Sequence, residues 1–138
     1  MERFNGEKPD EGHPAIVIVS RDEDFINRLR SFALKPSEAP CAVTVFNEPL
    51  GALVHLLMQS PNLVVYDMDS DAWERDLETL RAIRLICRGV PIILGASEHS
   101  ASPFGHENDV GIFYRLVKSA PDSEMETAVE SAKRCLRR

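Results

Sequence analysis

Apolar residues follow two rhythms along this chain. Short unbroken runs have the length and β-branching of strands: Ala15–Val19 (AIVIV), Cys41–Phe46 (CAVTVF), Leu63–Tyr66 (LVVY), Val90–Leu94 (VPIIL) and Gly111–Val117 (GIFYRLV). Between them, apolar residues recur every three or four positions. Phe25, Ile26, Leu29 and Phe32 form one such stripe, and Leu50, Leu53, Val54 and Leu57 a second. Trp73, Leu77, Leu80, Ile83 and Cys87 form a third, and Met125, Ala128, Val129, Ala132 and Leu136 a last one.

Polar residues punctuate these elements where the backbone needs partners. Ser20 or Asp22 can cap the first helix, and Pro36 and Pro40 mark the loop behind it. Asn47 is a good N-cap with Pro49 in the first turn, Ser60-Pro61 stops that helix, and Gly89 is placed to end the next. Pro91 is tolerable near the start of the fourth strand. His55 lies off the apolar face of its helix and is expected to be exposed. The segment 97–109, with Pro103, Gly105 and several serines, has no helical stripe, so any helix there should be short or irregular. Lys133, Arg134, Arg137 and Arg138 suit the C-terminal end of the last helix electrostatically.

Strand and helix thus alternate five times, which predicts a parallel sheet covered on both faces. The continuous run of β1 (Ala15–Val19) fits a central strand and the more polar second strand an edge. The expected fold is a three-layer, flavodoxin-like, doubly wound α/β domain with five parallel strands in the order 2-1-3-4-5. It should occupy residues 14–138, behind a polar, flexible tail over 1–13. In such sheets ligands sit beyond the carboxyl ends of the strands, near the switch between strands one and three. That rule gathers Ser20, Arg21, Asp22 and Asp67, with Ala96 or Ser97 and Lys118 facing them.

Composition narrows the classes. With 138 residues, 43% of them hydrophobic and 28% charged, the chain can bury one core without disulfides. The apolar runs are strand-length, which predicts no membrane span, and the N-terminus lacks a signal-peptide core, which predicts a cytoplasmic protein. Cys41, Cys87 and Cys135 are odd in number and show no CxxC spacing, so they are expected as reduced, buried thiols. A net charge of −6 disfavours nucleic acid as a direct partner.

The chemistry concentrates in Asn62–Asp71, NLVVYDMDSD, where a buried strand ends in Asp67, Asp69 and Asp71. With Lys118 after strand five and Gly111 ahead of it, the chain resembles response-regulator receiver domains of two-component signalling, over roughly Pro14 to Leu136. The resemblance implies that Asp67 is the phosphoryl acceptor and that Lys118 neutralises phosphoryl charge. It implies Mg²⁺ as cofactor, held by an acidic pair after strand one, but Ser20 and Arg21 stand there, which counts against it. Asp22, Asp67 and Asp69 are the acids left to rebuild a weaker metal site. The hydroxyl residue that ends strand four is Ala96, with Ser97 one step on, and Ser119 and Arg115 replace a proline and an aromatic.

Two readings of Arg21 stay open: its guanidinium pairs with Asp67 in place of the metal, or it swings outward. The first is preferred. Two functions share the fold. In one, a histidine kinase phosphorylates Asp67, and Lys118 with Ser97 passes the change on. In the other, a pseudo-receiver acts through protein contacts with a kinase, a downstream effector or a second copy of itself, and is not an enzyme. The second is preferred, because Arg21 and Ala96 each remove part of the switch. An ion pair of Asp67 with Lys118 that does no chemistry is the plain alternative.

Other patterns are weaker. DMDSD resembles the nucleophile motif of haloacid dehalogenase-type phosphatases, with Asp67 attacking, Asp69 as acid/base, and Ser97 and Lys118 in later motifs. However, it follows two full strand–helix units, and no late acidic pair is present. The EF-hand-like spacing of Asp67, Asp69, Asp71 and Glu78 lacks the turn glycine, and Asp71 is better read as a helix cap. His99 and His106 lie in a polar loop that fixes no metal geometry.

Overall fold

In the computed structural model, which describes residues 15–33, 42–68, 73–97 and 110–135, the apolar runs divide their side chains between two layers. In β1 (Ala15–Val19), Ile16 and Ile18 enter one core cluster while Val17 and Val19 enter the other. β3 (Leu63–Asp67) repeats this, with Leu63 and Val65 on one side and Val64 and Tyr66 on the other. In β4 (Ile92–Ala96), Ile93 faces the first cluster, and Ile92 and Leu94 the second. A strand with apolar residues on both faces must be covered on both faces, which an all-parallel sheet achieves.

The strands β2 (Ala42–Phe46) and β5 (Tyr114–Val117) flank these three in the order β2-β1-β3-β4-β5, every pairing parallel. This is the 2-1-3-4-5 doubly wound sheet expected from the sequence. Helices α1 (Glu23–Ala33) and α4 (Asp122–Cys135) cover one face through Phe25, Ile26, Leu29, Met125 and Val129. Helices α2 (Pro49–Met58) and α3 (Trp73–Ile86) cover the other through Ala52, Leu56, Leu77, Leu80 and Ile83. Each fully buried Leu or Ile contributes about 1.5–3 kcal/mol, so these layers carry the fold. The polar strand ends are left free to build a site.

Several local expectations shift. β4 lies two residues later than Val90–Leu94, because Pro91 has no amide to donate and serves the ladder only as acceptor, from the Val64 amide. β5 is shorter than Gly111–Val117, because Gly111 adopts a positive φ of 73° in the preceding turn. Asn47 does not cap α2; its side-chain amide donates to the Ser20 carbonyl, and Glu48 is the N-cap with no side-chain cap bond. His55 is half-buried rather than exposed, its ring centroid 5.1 Å from that of Phe46. Cys87 is a buried free thiol as expected. The expected tail over 1–13, residues 98–109 of the segment expected to hold at most a short or irregular helix, Asp69, Asp71, Cys41 and the Cys135 side chain lie outside the described residues. Among the described residues no helix is long and apolar enough to cross a membrane.

Candidate functional site

Three strands deliver the site, and each is pinned one residue past its end. The Ser20 amide donates to Phe46 O at 2.9 Å, the Met68 amide to Gly95 O at 2.8 Å, and the Lys118 amide to Ala96 O at 2.9 Å. Asp67, which ends β3, and Ser20 and Lys118, just beyond β1 and β5, are therefore fixed to the sheet itself. They meet at the switch between β1 and β3, as the sheet rule requires.

Asp67 is the centre. Its Oδ2 accepts from the Ser20 hydroxyl at 2.7 Å and pairs with Lys118 Nζ at 2.9 Å, and its side chain is only 10% exposed. Lys118 Nζ also donates to Asp22 Oδ2 at 3.0 Å. One ammonium thus bridges two carboxylates, leaving a cluster with one net negative charge. Asp22 is itself anchored, since its Oδ1 accepts from the Phe25 amide at 3.2 Å, capping α1, and its own amide donates to Ser20 Oγ at 3.0 Å. The Ser20 hydroxyl is therefore both donor and acceptor, and the residue is buried.

The electrostatics follow from depth. Burial pushes the Asp67 carboxyl above the ordinary carboxylate value, and the hydrogen bonds from Lys118 and Ser20 only partly offset this. Asp22, closer to solvent, is held below that value by its Lys118 hydrogen bond. Burial works to lower Lys118, but its two carboxylate partners overcome this and leave its pKa raised. At neutral pH Lys118 is a firm cation and Asp22 a firm anion. Asp67 is the carboxylate whose ionised form burial disfavours.

The layer beneath is tightly fitted. Lys118 Nζ lies 5.4 Å from the centroid of the Phe25 ring, within cation–π range. Phe25 in turn rests on Gly95, where an added Cβ would come within 2.7 Å of Phe25 Cζ. Only glycine leaves room for this ring. From α1, Arg28 donates to Lys118 O at 2.8 Å and Ala120 O at 2.7 Å, and pairs with Asp122, which fastens the loop carrying Lys118.

The expected members of the site separate accordingly. Ser20, Asp22, Asp67 and Lys118 come together. Arg21 does not: the expected pairing with Asp67 is replaced by hydrogen bonds to Asn47 O and the Glu48 carboxylate, with the Arg21 side chain 71% exposed. Chain alternation at the end of β1 turns Ser20 inward and Arg21 outward. An exposed carboxylate also costs the guanidinium far less dehydration than a buried one already held by Lys118. Ala96 ends β4 with its methyl buried, and Ser97, one step on, is exposed at the rim. A cavity of about 740 Å³ is lined by Ser20, Asp22, Asp67, Ser97 and Lys118 and runs on toward the start of α2.

A second buried acid was not foreseen. Asp76 of α3 accepts a 2.7 Å hydrogen bond from Tyr66 Oη, and both residues are buried in the wall of the same cavity. Burial, reinforced by Asp76, pushes the Tyr66 phenol well above its ordinary range. The signal was present, since Asp76 falls three residues after Trp73 and inside the apolar stripe of its helix.

The resemblance implies Mg²⁺, and the donor set can be tested for it. Among the described residues no group of three or more acids, histidines or cysteines could hold a metal ion. The two carboxylates present are already bridged by an ammonium. Hard divalent cations favour several oxygen ligands at once. The described donors therefore do not fit a tight site.

No family model matches the sequence, and no curated protein matches it. Solved structures do match in fold. The signal receiver domain of an HD domain-containing protein from Pseudomonas fluorescens Pf-5 superposes with a TM-score of 0.71 at 19% identity, covering 91% of this chain and 98% of that one. A chain assigned as a CpaE2 pilus assembly protein of Sinorhizobium meliloti gives 0.66 at 24% identity, covering 86% and 98%. The Mn²⁺-bound form of the response regulator Rcp1 gives 0.66 at 16% identity, covering 87% and 91%. The fold of this chain is that of response-regulator receiver domains.

Proposed function

We propose that this chain is a receiver-like signalling module that works through protein–protein contacts and accepts phosphoryl groups poorly at Asp67. The observation that supports this best is the engagement of one Asp67 oxygen by both Ser20 Oγ and Lys118 Nζ. A carboxylate nucleophile needs an accessible lone pair and a counter-charge for the incoming group. Here the counter-charge is shared between Asp67 and Asp22, and burial works against the ionised form. The positions that hold acids in the family it resembles carry a hydroxyl turned in and a guanidinium turned out. Rcp1 binds Mn²⁺; the donors described here suit a divalent ion less well. At the end of β4, the methyl of Ala96 supplies no hydroxyl to sense an added phosphoryl group.

The module is accordingly not an enzyme. Its partners are a histidine kinase or a downstream effector, in the cytoplasm, and its conformation is set by the partner more than by phosphorylation. One observation keeps a second reading alive: Asp67, Lys118 and Asp22 are assembled as a working phosphoryl acceptor would assemble them. Backbone amide spectra in the presence of Mg²⁺ and beryllofluoride separate the two. The wild-type chain should show no specific shifts at Asp67, Ser97 and Lys118, whereas a variant carrying Ser20→Asp and Arg21→Asp should respond. Specific wild-type shifts at those three residues would sink the proposal in favour of a working acceptor.

A further inference from the structure

Helix α2 differs from the other helices on its solvent side. The exposed positions of α1 are Glu23, Asp24, Asn27, Arg30 and Ser31, and those of α3 and α4 are polar apart from Leu85. In α2 the sequence is PLGALVHLLM, without one carboxylate, ammonium or guanidinium over its whole length. Ala52 and Leu56 face the core, while on the opposite side Leu50 is 71% exposed, Val54 55%, Leu57 69% and Met58 78%. These four sit at i, i+4, i+7 and i+8, which makes a single stripe. A helix apolar on both sides is normally covered on both sides.

We infer that this stripe is a self-association surface, on which the α2 helix of a second copy of the chain packs. The surface carries no charge for a charged partner to complement, so its partner must be equally neutral, and this same helix is. Its ends allow a two-fold pairing without like charges opposed. The N-terminal end carries the internally neutralised Arg21–Glu48 pair, and the C-terminal end is followed by Gln59 and Ser60. A lipid surface fits less well, because interfacial helices pair their apolar side with Lys and Arg, and this chain carries a net charge of −6.

The area sets the strength. At these exposures the four side chains offer roughly 400–500 Å² per copy, about half of what each partner gives to a standard stable interface. The rim around α2 must supply the rest, so the dimer is weak and reversible. Because the contact is apolar and the copies repel at long range, raising the salt concentration strengthens it. The inference does not rest on how the Asp67 site works.

Sedimentation velocity of the full chain, from low-micromolar to sub-millimolar concentration, tests it. The sedimentation coefficient should rise with concentration and rise further at high salt. Leu57→Glu, at an exposed position, should weaken association by about tenfold or more while its amide spectrum stays that of a folded chain. Leu85→Glu on α3 should leave association unchanged. A monomer at every concentration, or a dimer indifferent to Leu57→Glu, would overturn the inference. So would association that appears only after residues 1–13 are removed, which would make the chain's own first segment the occupant.

Discussion

The two ends of the sheet are fastened by different means. At the carboxyl ends, charged side chains are tied to one another: Ser20 and Lys118 to Asp67, and Lys118 to Asp22. At the amino ends a single guanidinium is tied to the main chain. Arg84 of α3 donates to Val110 O at 2.7 Å, Cys87 O at 3.0 Å, Val90 O at 2.7 Å and Gly111 O at 3.0 Å. It thereby closes the turns that lead into β4 and β5. Carbonyls are partners whose number does not depend on neighbouring side chains or on pH in the ordinary range. A cluster of carboxylates and an ammonium depends on both. The amino end is therefore built to stay as it is, and the carboxyl end to respond.

If that division holds, the largest loss of stability comes from the end without the acidic cluster. Arg84→Ala strands four carbonyls and should lower the free energy of unfolding by roughly 3 kcal/mol in a urea titration, leaving the Lys118 amide resonance in place. A small effect there would break the comparison at its root. Lys118→Met comes next. It leaves two carboxylates facing each other without a cation and should cost about 2 kcal/mol at neutral pH, discounted for the part-exposed Asp22. That loss should shrink in acid, as the carboxylates take up protons.

Asp67→Asn should act in the opposite direction, stabilising by about 1 kcal/mol at pH 7, because Lys118 keeps Asp22 and the buried charge is gone. Its pH dependence has a definite sign. The Asp67 pKa is raised in the folded chain, so the wild type gains stability as pH falls through that folded value toward the ordinary 3.8. The variant lacks this gain, so its advantage should vanish in acid. Asp22 does the reverse: its folded pKa is lowered, so its contribution is present above 3.8 and is lost as pH falls through the folded value. Unfolding curves at stepped pH, for the wild type and Asp67→Asn, measure the two together. Arg21→Ala should be the smallest, within about 0.5 kcal/mol, since its pair with Glu48 is exposed.

Much of the fold was legible because β-branched runs and three-to-four spacing reflect the two layers directly. β1 and β3 read true since every residue of the two runs except Ala15 belongs to a core cluster. β4 was misplaced because its last residues, Gly95 and Ala96, look unlike a strand; the smallness of Gly95 is dictated by the Phe25 ring above it, which no local pattern shows. Pairing of Asp67 with Lys118 was legible from strand ends alone. The sharing of Lys118 with Asp22 was not, since it depends on the turn that brings Asp22 around to cap α1. Arg21 was misread because sequence gives residue order but not which way a loop side chain leaves the strand. Glu48, the competitor that captures it, is distant in sequence and near only in the fold.

The stack of Gly95, Phe25 and Lys118 bears on how such a domain can change over time. Any side chain at position 95 would lift the ring that supports the lysine, so that position admits almost no drift. Arg21 and Ser97 are exposed, with room around them, and can be exchanged with little consequence for the core. A lineage built this way can exchange one chemistry for another, or lose it, while the shape presented to its partners stays the same.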